Sequence, residues 1–354
     1  MDIMMDMIVP FCNGLSIGLN IVLILCIMSN YLINFLKKWI SDPDYDMDKT
    51  EEFVPNNLDD RMKYYEKKIQ CYIPANRPFM VRLDGRCFSN QTKGLVRPYD
   101  EMFAKAMLLT AKDALMEFHA ASAYTQSDEI TLIFSNNDNK DAEHIFGGRT
   151  DKILSLTAGY VSTSFTANFT KLLNENYERY ESYLNANKNY YCFDSRIIIY
   201  PEDKTHEIVN NILWRSKYDC YRNFVSRFSE YYFPAKSLNN ISTKKRIEKL
   251  LKEKNIDLNA FKTHYKYGWF IKRIECDVMT KTGMCIRTKP IAFSVNPKFS
   301  DEFLQILLKN KLTDKEINNF DFDEQVELIK LIQYVQPNRD GKLFVNKKEI
   351  IKIE

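Results

Sequence analysis

Between Phe79 and Phe134 the period of apolar positions changes repeatedly. Phe79–Leu83, F-M-V-R-L, is a short apolar run between Pro78 and Asp84-Gly85, and it predicts a buried strand. From Glu101 to His119 the residues Met102, Phe103, Ala106, Leu109, Ala114, Leu115 and Phe118 recur at helical spacing. Asp100, just ahead of them, can cap that helix. Ala120–Tyr124 and Ile130–Phe134 are two more short strands across the tight turn Thr125–Glu129. Strand, helix, strand, turn, strand is most of a ferredoxin-like β-α-β-β-α-β unit, an α+β fold. A helix follows near Arg149 and Lys152, with Leu156, Ala158 and Val161, and then a strand within Tyr190–Tyr200.

The flanks have other patterns. Met7–Leu36 holds no charged residue, and such a length crosses a hydrocarbon core of ~30 Å as a helix. Asp2 and Asp6 stand where a signal peptide would be basic, and the absence of Arg argues against a mitochondrial transit peptide. Lys37 and Lys38 would leave the rest of the chain cytoplasmic. Residues 1–40 therefore read as a membrane anchor or as a non-native upstream extension, and residues 41–57, acidic and carrying two prolines, as a linker. Leu58–Gln70 predicts a charged surface helix. Further on, Ile208–Phe233 and Lys244–Lys254 predict helices, and Tyr267–Glu275 with Met284–Thr288 a hairpin. Ser300–Gln336 predicts an amphipathic helix, and Lys347–Glu354 is a charged tail.

Apolar residues at 45% and charged residues at 27% place the chain among ordinary globular proteins. The net charge is only +3, so a nucleic-acid partner has to be met by a local basic surface. The eight cysteines form no C-x-x-C pair, which argues against a zinc site or disulfide framework and suits a reducing compartment.

Candidate chemistry gathers at the two acidic turns. In the ferredoxin-like order the first strand is central and the hairpin lies beside it. Asp84 and the Ser127-Asp128-Glu129 turn then fall at one sheet edge. Magnesium takes one or two carboxylates plus phosphate oxygens and water. Two ions ~3.5–4 Å apart can clamp an in-line phosphoryl displacement. The competing reading has Asp84 capping a turn and Asp128 in an ordinary hairpin. Arg149 and Lys152 near a helix start oppose its dipole, which makes sense opposite a triphosphate or RNA phosphate; the alternative is two solvated charges. Ile208–Phe233 mixes Arg with Tyr and Phe, a surface for RNA or an aromatic core face with snorkelling arginines.

Seven segments together resemble the tRNA-His guanylyltransferase family, including its 3′–5′ polymerase branch. They are R-L-D-G-R-C-F at Arg82–Phe88, T-K-G-L-V-R-P-Y-D at Thr92–Asp100, A-Y-T-Q-S-D-E-I at Ala123–Ile130, G-R-T-D-K at Gly148–Lys152, F-D-S-R-I-I-I-Y-P at Phe193–Pro201, W-R at Trp214–Arg215 and R-T-K-P at Arg287–Pro290. The resemblance implies a polymerase-like palm over residues 58–200, an antiparallel sheet with helices on one face. It implies an RNA-contacting or oligomerisation part over 201–295 and leaves 296–354 as a helical extension. It also implies two Mg²⁺ on Asp84, the Gly85 carbonyl and Asp128, with Glu129 completing the catalytic set. Nucleotide contacts would come from Asp84, Gly85, Arg86, Cys87, Phe88, Ser89, Arg97, Ser127, Asp128, Arg149 and Lys152. RNA would be met by Trp214, Arg215, Arg222 and Asn223. Substrates would be ATP or GTP and a tRNA 5′ end, and the assembly a homo-tetramer. Members devoted to tRNA-His carry H-I-N-N-L-Y-N after W-R. Here the run is Y-R-N-F-V-S-R, Tyr221–Arg227. That departure favours template-dependent 5′-end repair over dedicated guanylate addition to tRNA-His. The rival outside enzymology is a non-catalytic, membrane-tethered RNA-binding protein.

Overall fold

A computed structural model describes residues 54–135, 143–186, 190–280, 283–298, 300–313, 316–317 and 324–327. The apolar segment Met7–Leu36 and the tail Lys347–Glu354 lie outside the described residues. Among the described residues no helix is long and apolar enough to cross a membrane. The chain divides into two units, Met1–Ile69 and Gln70–Glu354. The described part of the first, residues 54–69, contains α1 (Leu58–Lys67), capped by Asn57, whose side chain accepts from the Asp59 amide. It has no buried residue, as its many charges predict.

In the second unit, β1 (Phe79–Gly85) leads through the short α2 (Phe88–Gln91) to α3 (Glu101–Glu117). The hairpin β2 (Ser122–Gln126) and β3 (Glu129–Phe134), α4 (Thr150–Glu175), α5 (Tyr177–Ala186) and β4 (Phe193–Ile199) complete the palm. Strand order begins β4-β1-β3-β2, all antiparallel, which is the ferredoxin-like arrangement. Asp100 caps α3 as its position predicts, accepting from the Phe103 amide at 2.9 Å.

Side-chain alternation along β1 divides the labour of the sheet. Phe79, Val81 and Leu83 face α3 and α4 and pack with Ile130, Leu132, Phe134, Phe165 and Phe169. Met80 faces the other way, into a second cluster. Arg82 and Asp84 follow on that same face.

The remainder of the chain extends this second face. A continuous helical stretch runs through α6 (Glu207–Leu213), a π-helical segment (Trp214–Cys220) and α7 (Tyr221–Tyr232). After α8 (Thr243–Lys254) and α9 (Thr263–Tyr267) come β5 (Trp269–Thr280) and β6 (Gly283–Ser294), which widen the sheet from β2. The hairpin is longer than its sequence pattern predicts. Helices α6 and α10 (Asp301–Leu308) supply Ile208, Val209, Ile212, Phe303, Ile306 and Leu307 to the second cluster, so this face is partly covered as well.

The helix predicted over Ser300–Gln336 is shorter. Beyond α10 the chain forms β7 (Leu312–Thr313), parallel to β5, and β8 (Glu324–Glu327), antiparallel to β6; residues 328–336 lie outside the described set. Free backbone groups along β5 and β6 offer pairing that overrides a helical pattern.

Candidate active site

The site lies where the charged part of the second sheet face meets the β2–β3 turn. Asp84 stands between Asp194 on β4 and Glu129 on β3 in register, so three carboxylates line one row of the sheet. The Gly85 amide donates to the Asp128 carbonyl at 3.0 Å, which fixes the turn beside the strand end. Gly85 has to lack a side chain, because a Cβ would meet the Phe88 ring at 2.7 Å. The turn between β2 and β3 is two residues, Ser127 and Asp128, and Ser127 takes a left-handed φ of 50° that glycine usually supplies. Cys87, at φ 60°, turns the chain out of β1 in the same way.

Cations hold these acids in place. One guanidinium nitrogen of Arg82 donates to both Asp84 and Glu129, at 2.6 Å each. Arg215 donates to Glu129 at 3.2 Å and to Asp219 at 3.1 Å, and Arg222 closes on Asp219 from outside. Arg196 bonds Asp194 at 2.9 Å and lies 3.9 Å from Asp84. Burial pushes the Asp84 carboxyl above its ordinary range; Arg82 opposes this, while the charges of Asp128 and Asp194 add to it. Burial likewise raises Glu129, against Arg82 and Arg215.

A pocket of about 290 Å³ opens beside the turn. Ser89, Arg97, Asp100, Asp128, Arg227 and Glu230 are among the residues lining it. Arg227, from α7, donates to the Ser127 hydroxyl at 2.7 Å, and that hydroxyl donates to Asp128 at 2.9 Å. A smaller cavity of about 60 Å³ adjoins it and includes Tyr99, Asn223, Arg227 and Trp269 in its wall.

The predicted site residues sort accordingly. Asp84, Gly85, Asp128, Glu129 and Ser127 converge, and Ser89 and Arg97 line the neighbouring pocket. Arg86 and Cys87 lead out of β1, with the Arg86 amide bonded to the Cys192 carbonyl. Phe88 borders the pocket, but its ring packs against Phe103, Phe165, Tyr191 and Phe193, so it serves the core rather than a free stacking platform.

Arg149 and Lys152 are not brought to the carboxylates within this chain. Thr157 of α4 bonds Ser195, which pairs with Leu83. Arg149, eight residues earlier, is then about 12 Å toward the start of β1 at 1.5 Å per residue. Moreover, α4 packs on the opposite sheet face. Arg149 is bonded there to Asp151.

Of the residues predicted for RNA, Trp214 is half exposed and carries the Arg215 guanidinium 4.3 Å from its ring centre. Arg215 itself points inward, 12% exposed, and bridges Glu129 to Asp219. Arg222 is exposed and Asn223 lines the smaller cavity.

Sequence reasoning passed over Arg82, Asp194, Arg196, Arg227 and Glu230. The first was readable: a residue two before Asp84 on a strand shares its face. Asp194 and Arg196 needed the β1–β4 register, and Arg227 needed the path of α7.

Among the described residues no three of His, Cys, Asp and Glu converge as a ready metal cage. The donor set nonetheless fits Mg²⁺, which needs only one or two protein carboxylates. Asp84 is raised partly by the negative charges of Asp128 and Asp194, a repulsion that a divalent cation would relieve.

A palm sheet with acids at a strand end and hairpin turn, beside an arginine-lined pocket, defines a nucleotidyltransferase centre. Comparison with known proteins narrows this. A profile of the tRNA-His guanylyltransferase (Thg1) family matches residues 59–201. An uncharacterised protein of Acanthamoeba polyphaga mimivirus is 31% identical over 296 residues, covering 81% of this chain and 97% of the relative. A bacterial tRNA-His guanylyltransferase-like protein solved with ATP is 29% identical with a TM-score of 0.54, covering 65% of this chain and 92% of that one. A bacterial protein of the same description, solved with GTP, gives 26% and 0.50 over 66% and 90%. The chain belongs to the tRNA-His guanylyltransferase family and is a nucleotidyltransferase of that kind.

Proposed function

We propose that the protein extends tRNA 5′ ends in the 3′–5′ direction, templated by the opposing strand, as in 5′-end repair. The observation that carries the reading is the meeting of Asp84 with the Ser127–Glu129 turn beside the Arg97–Arg227 pocket. The neighbours solved with ATP and GTP support nucleoside triphosphates as substrates. A 5′-monophosphorylated RNA would attack the α-phosphate of ATP, release pyrophosphate and become adenylylated. The 3′-hydroxyl of an incoming nucleoside triphosphate would then attack that end and release AMP.

Asp84, the Gly85 carbonyl and Asp128 would hold Mg²⁺, which supplies charge neutralisation on the transferring phosphoryl group. Arg97 and Arg227 offer guanidinium groups to phosphate oxygens at the pocket wall. Arg82 and Arg215 keep Glu129 fixed behind the reacting edge. Tyr221, where dedicated tRNA-His enzymes carry His, stacks on Tyr267 with centroids 5.9 Å apart and is part of an aromatic wall. That supports repair over dedicated guanylate addition.

The test is incorporation of each labelled nucleotide into a panel of 5′-truncated tRNAs and into full-length tRNA-His. The repair reading expects addition to truncated tRNAs of several types, directed by the 3′ strand. Addition to tRNA-His alone would replace it by the dedicated reading.

A further inference from the structure

The chain's positive charge is concentrated outside the catalytic centre. Between Lys236 and Lys266 there are nine Lys and Arg against three Asp and Glu, in a protein whose whole net charge is +3. The remaining chain is therefore net acidic. A local excess of this kind in a near-neutral protein marks a surface for a polyanion.

Geometry shows which of these cations are available. Helix α8 buries Leu250 against α7, with Ile247 packed at the edge of the same cluster. At 100° per residue, Lys244, Lys245 and Lys252 fall on the side opposite Leu250. All three are exposed, and no described residue bonds or pairs with their ammonium groups. They span about 12 Å of helix. Lys236 and Lys262 flank them, also exposed and without such a partner among the described residues. The other cations are engaged: Arg246 with the Leu238 carbonyl, Lys249 with Glu253 and the Phe233 ring, Lys254 with that ring, and Lys266 with the Asn259 carbonyl. Glu248 is the one acid on the Lys244–Lys252 face.

Position then selects the partner. Helix α7 supplies Arg227 to the wall of the Asp128 pocket on one side and packs on α8 through Phe224, Val225 and Phe228 on the other. Packed helices lie 8–10 Å apart, so the lysine face is roughly 20 Å from the turn once side-chain reach is included. That separation suits an RNA whose 5′ end is at Asp128 and whose phosphate backbone continues over α8.

We infer that Lys244, Lys245 and Lys252 of α8, flanked by Lys236 and Lys262, form a phosphate-contacting track for the RNA substrate. The inference rests on the nucleotidyltransferase reading of the neighbouring site, but it assigns a surface that the site's chemistry does not require. Contacts of this type neutralise phosphates without reading bases, so they anchor many RNAs alike.

The experiment compares wild type with the triple variant K244Q/K245Q/K252Q. RNA affinity is titrated over a salt series with a tRNA transcript lacking its first nucleotide, and nucleotide addition is measured at saturating RNA. The variant is expected to bind on the order of tenfold more weakly, with its log–log salt slope shallower by about 2. ATP binding and the melting temperature are expected to stay unchanged. In wild type, RNA is expected to protect the three lysines from acetylation, read by mass spectrometry. Unchanged affinity, slope and acetylation overturn the track, as does loss of binding to phosphatidylserine vesicles with tRNA affinity intact. A wild type that adds no nucleotide but shows the slope change sinks the catalytic reading and leaves the track standing. Normal addition with no slope change sinks the track alone.

Discussion

Asp84 and Asp128 are replaceable sterically but not chemically. Asp84→Asn and Asp128→Asn keep the side-chain volume and remove the charge on which the proposed Mg²⁺ site depends. Each is expected to lower nucleotide addition at least ~10³-fold, the scale on which electrostatic groups at reacting phosphates act. The raised Asp84 carboxyl gives a readout besides activity. Magnesium should raise the wild-type melting temperature and leave that of Asp84→Asn nearly unmoved; equal shifts in both proteins would remove Asp84 from the metal site. Ser127 presents the opposite case. Its φ of 50° is strained for a residue with a Cβ, so Ser127→Gly should gain stability of about 1 kcal/mol in urea denaturation. The same change deletes the hydroxyl between Arg227 and Asp128 and should lower kcat. A variant less stable than wild type would show that the hydroxyl's bonds outweigh the backbone strain. At this scale the sequence was informative: an acid after an apolar run and a two-residue acidic turn are local signals. Arg227 was not, because its role depends on a contact 100 residues away.

The element that most changes the site is the π-helical segment between α6 and α7. Such segments re-phase a helix and are common at functional sites. Here Arg215 bridges Glu129 and Asp219, and Ser216 bonds the Tyr267 carbonyl at 2.6 Å. The family resemblance assigns the W-R pair to RNA. The structure uses the arginine to complete a buried ionic chain and leaves the tryptophan outside. Arg215→Ala would leave Glu129 with Arg82 alone and Asp219 with Arg222 alone, so its cost is expected to fall below the ~3–5 kcal/mol of breaking a buried pair outright. Pairing Arg215→Ala with Glu129→Gln should recover part of the loss in a double-mutant cycle; strict additivity would mean that the two do not interact. The shortened C-terminal helix has the same lesson. Periodicity reports which face is apolar, whereas the edges of β5 and β6 decide that residues near Leu312 and Val326 pair as strands.

Over the whole second unit, one sheet joins the palm to the C-terminal hairpin, and β5 is the joint. The palm half was legible because strand, helix and hairpin follow one another locally. The joint was not, since β2 and β5 are separated by about 145 residues of sequence, Ala123 pairing with Ile271. Lys272 sits at that joint, fully buried, where charge-rich sequence would place a lysine outside. Its ammonium nitrogen donates to the Ala121 carbonyl, the Ser122 hydroxyl and the Lys309 carbonyl, tying β2 and the end of α10 to β5. No carboxylate accompanies it in these bonds. Burial, with Arg273 and Lys309 nearby, pushes its pKa well down. Between the folded and the unfolded pKa, the unfolded state binds the extra proton, so raising pH through that window stabilises the fold. Lys272→Met removes this dependence while keeping the length of the side chain. The stability of wild type minus that of Lys272→Met, from urea titrations, should therefore rise as pH increases toward about 10, the ordinary lysine range. Other titrating groups cancel in the difference. A flat difference would mean that the three acceptors hold the lysine charged in the fold, and that the joint between palm and hairpin is an ammonium clip at every working pH.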